Sequence, residues 1–133
     1  MRMRTFVVVL CGVSACVGCA KKKSTDELIQ DLRSGQEGDQ LKAVRLLPER
    51  KGDAEKIVPA LIESLKHKGG DIRLSAAIGL GYFGEQAKDA IPALQAAQRD
   101  RDARVREAAG IALSRIDPQR FPVPSPARPA RGK

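Results

Sequence analysis

From residue 25 onward the apolar positions recur at intervals of three and four, as in Leu28, Ile29 and Leu32, or Ile72, Ala76, Leu80 and Phe83. That spacing keeps one face of an α-helix apolar. Shifting the chain against itself by 33 residues, without a gap, superposes three copies of the pattern. Leu28 falls on Leu61 and Leu94, Ala43 on Ala76 and Ala109, and Leu47 on Leu80 and Leu113. Val58-Pro59-Ala60-Leu61 likewise falls on Ile91-Pro92-Ala93-Leu94. A fixed period of this length marks a stack of repeated supersecondary units.

Local punctuation divides each copy into two helices. The first helices are predicted over residues 26–34, 57–67 and 89–99, with Pro59 and Pro92 in the first turn, where a missing N–H is harmless. The second are predicted over 39–47, 71–83 and 103–116, ended by Pro48, Gly84 and Pro118, with Asp71 and Asp102 placed to cap. Alanine pairs such as Ala76-Ala77 and Ala108-Ala109 let neighbouring helices approach closely. The expected fold is all-α: a solenoid of about three helical hairpins over residues 25–117. Gln95, Gln98 and Glu107 replace the Ile62, Leu65 and Leu74 of the preceding copy. Such polar replacements suit a terminal repeat with no successor to bury its outer face; a polar pocket there is the alternative.

Asp102-Ala103-Arg104-Val105-Arg106-Glu107-Ala108-Ala109, followed by Ala112-Leu113 and Ile116, resembles the pattern of short HEAT-like repeats, the type associated with phycobilin lyases. The copy from Asp71 through Leu80-Gly81 is similar; the first is degenerate, with Gln40 at the arginine position. The resemblance covers the chain from Thr25 to Asp117 and implies a scaffold whose second helices line a concave, partner-facing surface. It is uninformative about any reaction. The ankyrin period is also 33, but its T-P-L-H signature is not in this sequence.

Both ends lie outside the pattern. Residues 1–20 carry Arg2 and Arg4, then the apolar run from Phe6, the proportions of a secretory signal peptide. Val13-Ser14-Ala15-Cys16 resembles a bacterial lipobox, making Cys16 the expected lipidation site and Cys19 the alternative. Cleavage after Ala20 without a lipid, and a buried N-terminal strand built on Val7-Val8-Val9-Leu10, are the other readings. Lys21, Lys22 and Lys23 open a linker over residues 21–24, able to lie against anionic headgroups or in solvent. Residues 118–133 hold five of the eight prolines, counting Pro118, and are expected to form a disordered or polyproline-like tail. Its one PxxP match, Pro126 to Pro129, is weak grounds for a docking peptide.

The net charge of +8 belongs to those ends. Between Ser24 and Asp117, sixteen acids face fifteen basic residues, so the repeats lack the basic footprint of a nucleic-acid binder. All three cysteines fall in the first twenty residues and His67 is the only histidine, so a zinc site in the repeats would lack its usual ligands. No P-loop, G-x-G-x-x-G, His-Glu dipeptide or recognisable nucleophile with its base is found, and no cofactor is expected. His67 reads as a surface residue suited to a helix C-terminus. Arg33, Lys66 and Arg99 coincide under the 33-residue shift, with Gln30, Glu63 and Ala96 three residues earlier. They form a candidate partner-binding row, with Glu63 alongside, for an acidic segment of a protein partner; helix-dipole compensation is the other account. The expectation is a non-catalytic binding or scaffolding module, exported to the periplasm or cell envelope and membrane-anchored through an N-terminal lipid. An accessory or lyase-like factor of an enzyme system, by the phycobilin resemblance alone, is the alternative.

Overall fold

The computed structural model describes residues 22–122. Cys16, Cys19 and the rest of the N-terminal segment, and residues 123–133 of the proline-rich stretch, lie outside them. Among the described residues the regular elements are all helical: α1 (Thr25–Ser34), α2 (Glu37–Leu46), α3 (Ala54–Ser64), α4 (Gly70–Phe83), α5 (Ile91–Ala97) and α6 (Ala103–Ile116), with short 3₁₀ segments after α2 and before α5. None of these helices is long and apolar enough to cross a membrane.

The 33-residue register holds to the residue in the second helices. α2, α4 and α6 begin at Glu37, Gly70 and Ala103, behind N-caps Gln36, Gly69 and Asp102. Asp102 caps through its side chain, accepting from the Arg104 N–H at 2.9 Å. Asp71 does not cap, contrary to expectation: the helix opens one residue earlier, and its carboxylate meets Arg104 Nη2 at 3.1 Å instead. At the start of α1, Ser24 and Glu27 bond reciprocally to each other's N–H, satisfying two otherwise orphaned donors.

The first helices depart further from the expected spans. α3 starts at Ala54 rather than residue 57, so Pro59 lies inside the helix and not in its first turn. Burial of Ala54, Ile57 and Val58 rewards the extra turn, and Pro59 is exposed, with no N–H to offer the Glu55 carbonyl. In the third copy the matching stretch is 3₁₀ (Gly84–Ala90), and Pro92 stands at the start of α5 as expected. α3 and α5 also end early: Lys66 and Arg99 close them by i→i−3 bonds to Glu63 and Ala96, each 3.0 Å.

All three leucine and alanine columns lie in the core. Leu28, Leu61 and Leu94; Ala43, Ala76 and Ala109; and Leu47, Leu80 and Leu113 are buried in one continuous cluster. α4 is central, packed between α2 and α6. Its contact with α6 is nearly backbone to backbone, for a Cβ added at Gly81 would lie 3.2 Å from Ala112 Cα. The second helices thus form one tight layer. In the other layer α3 rests on α1 and on the 3₁₀ segment that precedes α5. The expected tail begins with packed residues: Phe121 is half-buried against the core and its N–H reaches the Asp117 carbonyl at 2.9 Å.

Candidate protein-binding surface

Which residues are free to meet a partner follows from what the stack consumes. Arg73, on the first turn of α4, is consumed entirely. Its side chain is only 7% exposed, and Nε and Nη2 bond the two oxygens of Asp100 at 2.8 and 2.9 Å. Nη1 donates to the carbonyls of His67 and Lys68, both at 2.9 Å. One guanidinium therefore closes the turn before α4 and ties it to the next repeat. The fork-on-fork geometry holds the Asp100 carboxyl below its usual range, assisted by the Asp102 N–H, and raises Arg73 further. Arg106, 33 residues on, repeats the carbonyl half of this arrangement, with Nη1 at 2.8 Å from the Asp100 oxygen and 3.3 Å from that of Arg101. Among the described residues it meets no carboxylate. These arginines account for the R of the repeat pattern as a structural clamp.

The candidate row is divided from the surface it was expected to occupy. Arg33 ends α1, while Lys66 and Arg99 sit in the turns after α3 and α5, so all three belong to the first-helix layer, not to the second helices. All are exposed. Arg33 Nε lies 3.5 Å from Glu63 Oε2, which brings the fourth predicted residue into the row as its counter-ion. His67 is half-buried, its Nδ1 accepting from the Gly69 N–H at 3.0 Å. Among the described residues no cluster of His, Cys, Asp and Glu is gathered that could hold a metal.

The second-helix layer carries features that apolar spacing alone does not reveal. Ile78 (43% exposed), Tyr82 (57%) and Ile111 (46%) stand out of the α4–α6 surface, and Ile78 and Ile111 are one period apart. Leu74, Ile78 and Tyr82 form a stripe along α4 with a cavity on each side. One, of about 370 Å³, lies toward α6. The other, of about 580 Å³, lies toward α2 and the 3₁₀ segment after it. Small residues form the floor of the first, Ala77 and Gly81 facing Ala108 and Ala112. The rim is charged: Arg115 stacks over the Tyr82 ring at 5.6 Å from its centroid, and Arg45, Glu49 and Lys51 line the opposite side. The 33-residue shift marks these columns, since Arg45, Ile78 and Ile111 coincide, as do Glu49, Tyr82 and Arg115. Only the packed structure shows that they stay uncovered.

The family model for HEAT repeats matches residues 25–114, the whole span of stacked helices up to the last turns of α6. The chain belongs to the HEAT repeat family. HEAT repeats generally mediate protein binding. It is also similar to the uncharacterized protein SkfG of Bacillus subtilis (strain 168), 30% identical over 97 residues, which cover 73% of this chain and 56% of SkfG. The chain therefore spans little more than half the length of that curated relative.

Proposed function

We propose that this HEAT repeat chain is a non-catalytic scaffold of the bacterial cell envelope that receives a protein partner on the α2–α4–α6 surface. The observation that carries the reading is the stripe of half-buried Leu74 and exposed Ile78 and Tyr82, continued by exposed Ile111, on the most tightly packed layer of the molecule. Rigid backbone beneath exposed aliphatic and aromatic side chains is the composition of binding hot spots, where ordering costs little on association. The charged rim supplies orientation.

Export and anchoring rest on the N-terminal sequence, with Cys16 as the lipidated residue and Cys19 as the alternative. Arg50 donates to the Lys23 carbonyl and, at 3.4 Å, to the Thr25 hydroxyl, so the fold grips the chain from Lys23 onward. Cys16 precedes Lys23 by seven residues; at no more than ~3.5 Å each, they hold an anchored domain within about 25 Å of its lipid.

Two measurements test the proposal. A photo-crosslinking side chain at position 78 or 111 of the full chain in cells should trap a discrete partner, whereas the same group at position 95 in the third repeat's first helix should not. Equal trapping from both layers, or none from position 78, removes the surface from consideration. Intact-mass analysis of the membrane fraction should show an acylated chain beginning at Cys16. A start at acylated Cys19 moves the site, and an unmodified soluble chain starting at Lys21 rejects lipidation.

A further inference from the structure

The proposed surface is specific about the segment that would fit it. Leu74, Ile78 and Tyr82 follow one another at i, i+4 and i+8, a single ridge along α4, flanked by a groove on either side. The natural complement of a helical ridge between two grooves is the side-chain ridge of another helix. The charges around it are not balanced. Arg45, Lys51 and Arg115 line the cavities, and among the described residues none of the three meets a carboxylate within ion-pair distance. Arg104, at the far end, is already taken by Asp71 and Asp102 at 3.1 and 2.9 Å. The uncommitted cations therefore gather at the Tyr82 end of the ridge, where Arg115 covers the ring. Glu49 is the carboxylate beside them in the α2-side cavity, and Glu107, one period on from Leu74 and so toward the other end of the ridge, is the one lining the α6-side cavity.

Resting on the reading of this face as the partner-binding surface, we infer that the partner segment is an acidic amphipathic helix. Its apolar stripe lies against Ile78 and Tyr82, and Asp or Glu side chains at one end meet Arg45, Lys51 and Arg115. The row of Arg33, Lys66 and Arg99 offers an acidic segment less: Arg33 is paired with Glu63, and the nearby cavity is lined mainly by polar side chains with Leu32 and Ala60.

The probe is a fluorescein-labelled helical peptide of about 16 residues, long enough to overlie the ridge. It carries leucines at i, i+4, i+7 and i+11 and glutamates at one end; its twin has lysines in place of the glutamates. Anisotropy is read against the chain lacking residues 1–20, which retains every residue of the packed core. The glutamate peptide should bind about tenfold more tightly than its twin at low salt, the sum of three individually weak, solvent-exposed ion pairs. The advantage should shrink at about 0.5 M salt, where screening is nearly complete at contact distances beyond a few Å. Joint reversal, Arg45→Glu, Lys51→Glu and Arg115→Glu, should invert the preference without altering helical circular dichroism, and Tyr82→Ala should weaken both peptides. Equal affinity of the two peptides, a preference unmoved by the reversal, or no binding of the glutamate peptide at about 100 μM overturns the acidic-helix assignment. Binding of phosphatidylglycerol vesicles through the same three cations, with neither peptide bound, also overturns it and assigns the patch to a membrane surface. Crosslinking at position 78 stands apart from all of these: trapping there with failed peptide discrimination rejects the partner class alone, and no trapping rejects the surface.

Discussion

The Arg73–Asp100 pair is the polar contact that, beside the α4–α6 packing, ties the second repeat to the third, and Asp100→Asn tests it with almost no change of shape. The substitution leaves a guanidinium 7% exposed, facing an amide that has lost its charge and one of two good acceptors. Removing one member of a buried pair typically costs about 3–5 kcal/mol, because the other charge remains desolvated. Here the cost falls at or below the lower end: Nη1 keeps the His67 and Lys68 carbonyls, and Asp100 is 11% exposed, so water reaches the site. A loss of about 2–3 kcal/mol is expected, or roughly 10–20 °C in Tm for a domain near 100 residues. Urea unfolding followed by circular dichroism gives the free energy directly. The pH dependence adds a second constraint. Asp100 titrates below its ordinary value in the fold, so its contribution is fully present above the unfolded pKa of about 3.9 and is lost as pH falls through the lower folded value. The gap between parent and Asp100→Asn should therefore close in acid. Arg106→Met supplies the control, since Arg106 has the carbonyl contacts but no described carboxylate partner and is exposed; about 1 kcal/mol or less is expected. An Asp100→Asn loss under about 1 kcal/mol, or one equal to that of Arg106→Met, refutes the clamp as the inter-repeat tie.

Leu80→Ala, at a fully buried position between repeats, should cost about 2–5 kcal/mol by calorimetry or urea titration and lower the whole stack in one transition. Gly81→Leu should cost at least about 1–3 kcal/mol, since even a Cβ there meets Ala112 Cα at 3.2 Å; Gly38→Ala, with nothing within 4 Å, should gain about 0.5 kcal/mol. Deleting residues 122–133 should leave the melting temperature unchanged, whereas deletion from Phe121 should lower stability by about 1 kcal/mol, because that ring is half-buried against the core. Equal melting of the two truncations places Phe121 outside the cooperative unit.

The core was legible in the sequence for a simple physical reason: each leucine or alanine column has the same environment in every repeat, so the shift of 33 that aligns the letters also aligns the burial. Local chemistry misleads where it conflicts with that register. Asp71 looks like a cap, yet the capping position occupied by Asp102 falls, one period earlier, on Gly69. Pro59 looks like a helix start, yet buried Ala54 and Ile57 draw the helix upstream of it. The Arg73–Asp100 pair was hidden differently. Its members lie 27 residues apart in adjoining repeats, and the column of Asp100 holds Ser34 and His67 in the other copies, so periodicity gives no hint of a carboxylate there. Exposure of Ile78, Tyr82 and Ile111 was likewise out of reach, because apolar spacing states which faces of a helix are greasy and not which of them a neighbour covers.

The same distinction separates stability from recognition in this molecule. Columns that repeat without variation, such as Leu47, Leu80 and Leu113, are those the stack buries. Columns on the α2–α4–α6 surface change chemistry from copy to copy: Arg45 gives way to Ile78 and Ile111, and Glu49 to Tyr82 and then Arg115. Such variation has little effect on the stack, since exposed helix positions away from packed neighbours usually change stability by less than ~0.5 kcal/mol. It changes the surface completely, placing one aromatic ring among cations at a single point along three repeats. A periodic scaffold would otherwise present equivalent positions at which a partner could slip by one repeat. The break in the columns at Tyr82 supplies a unique register, and the two cavities beside it give that register a shape.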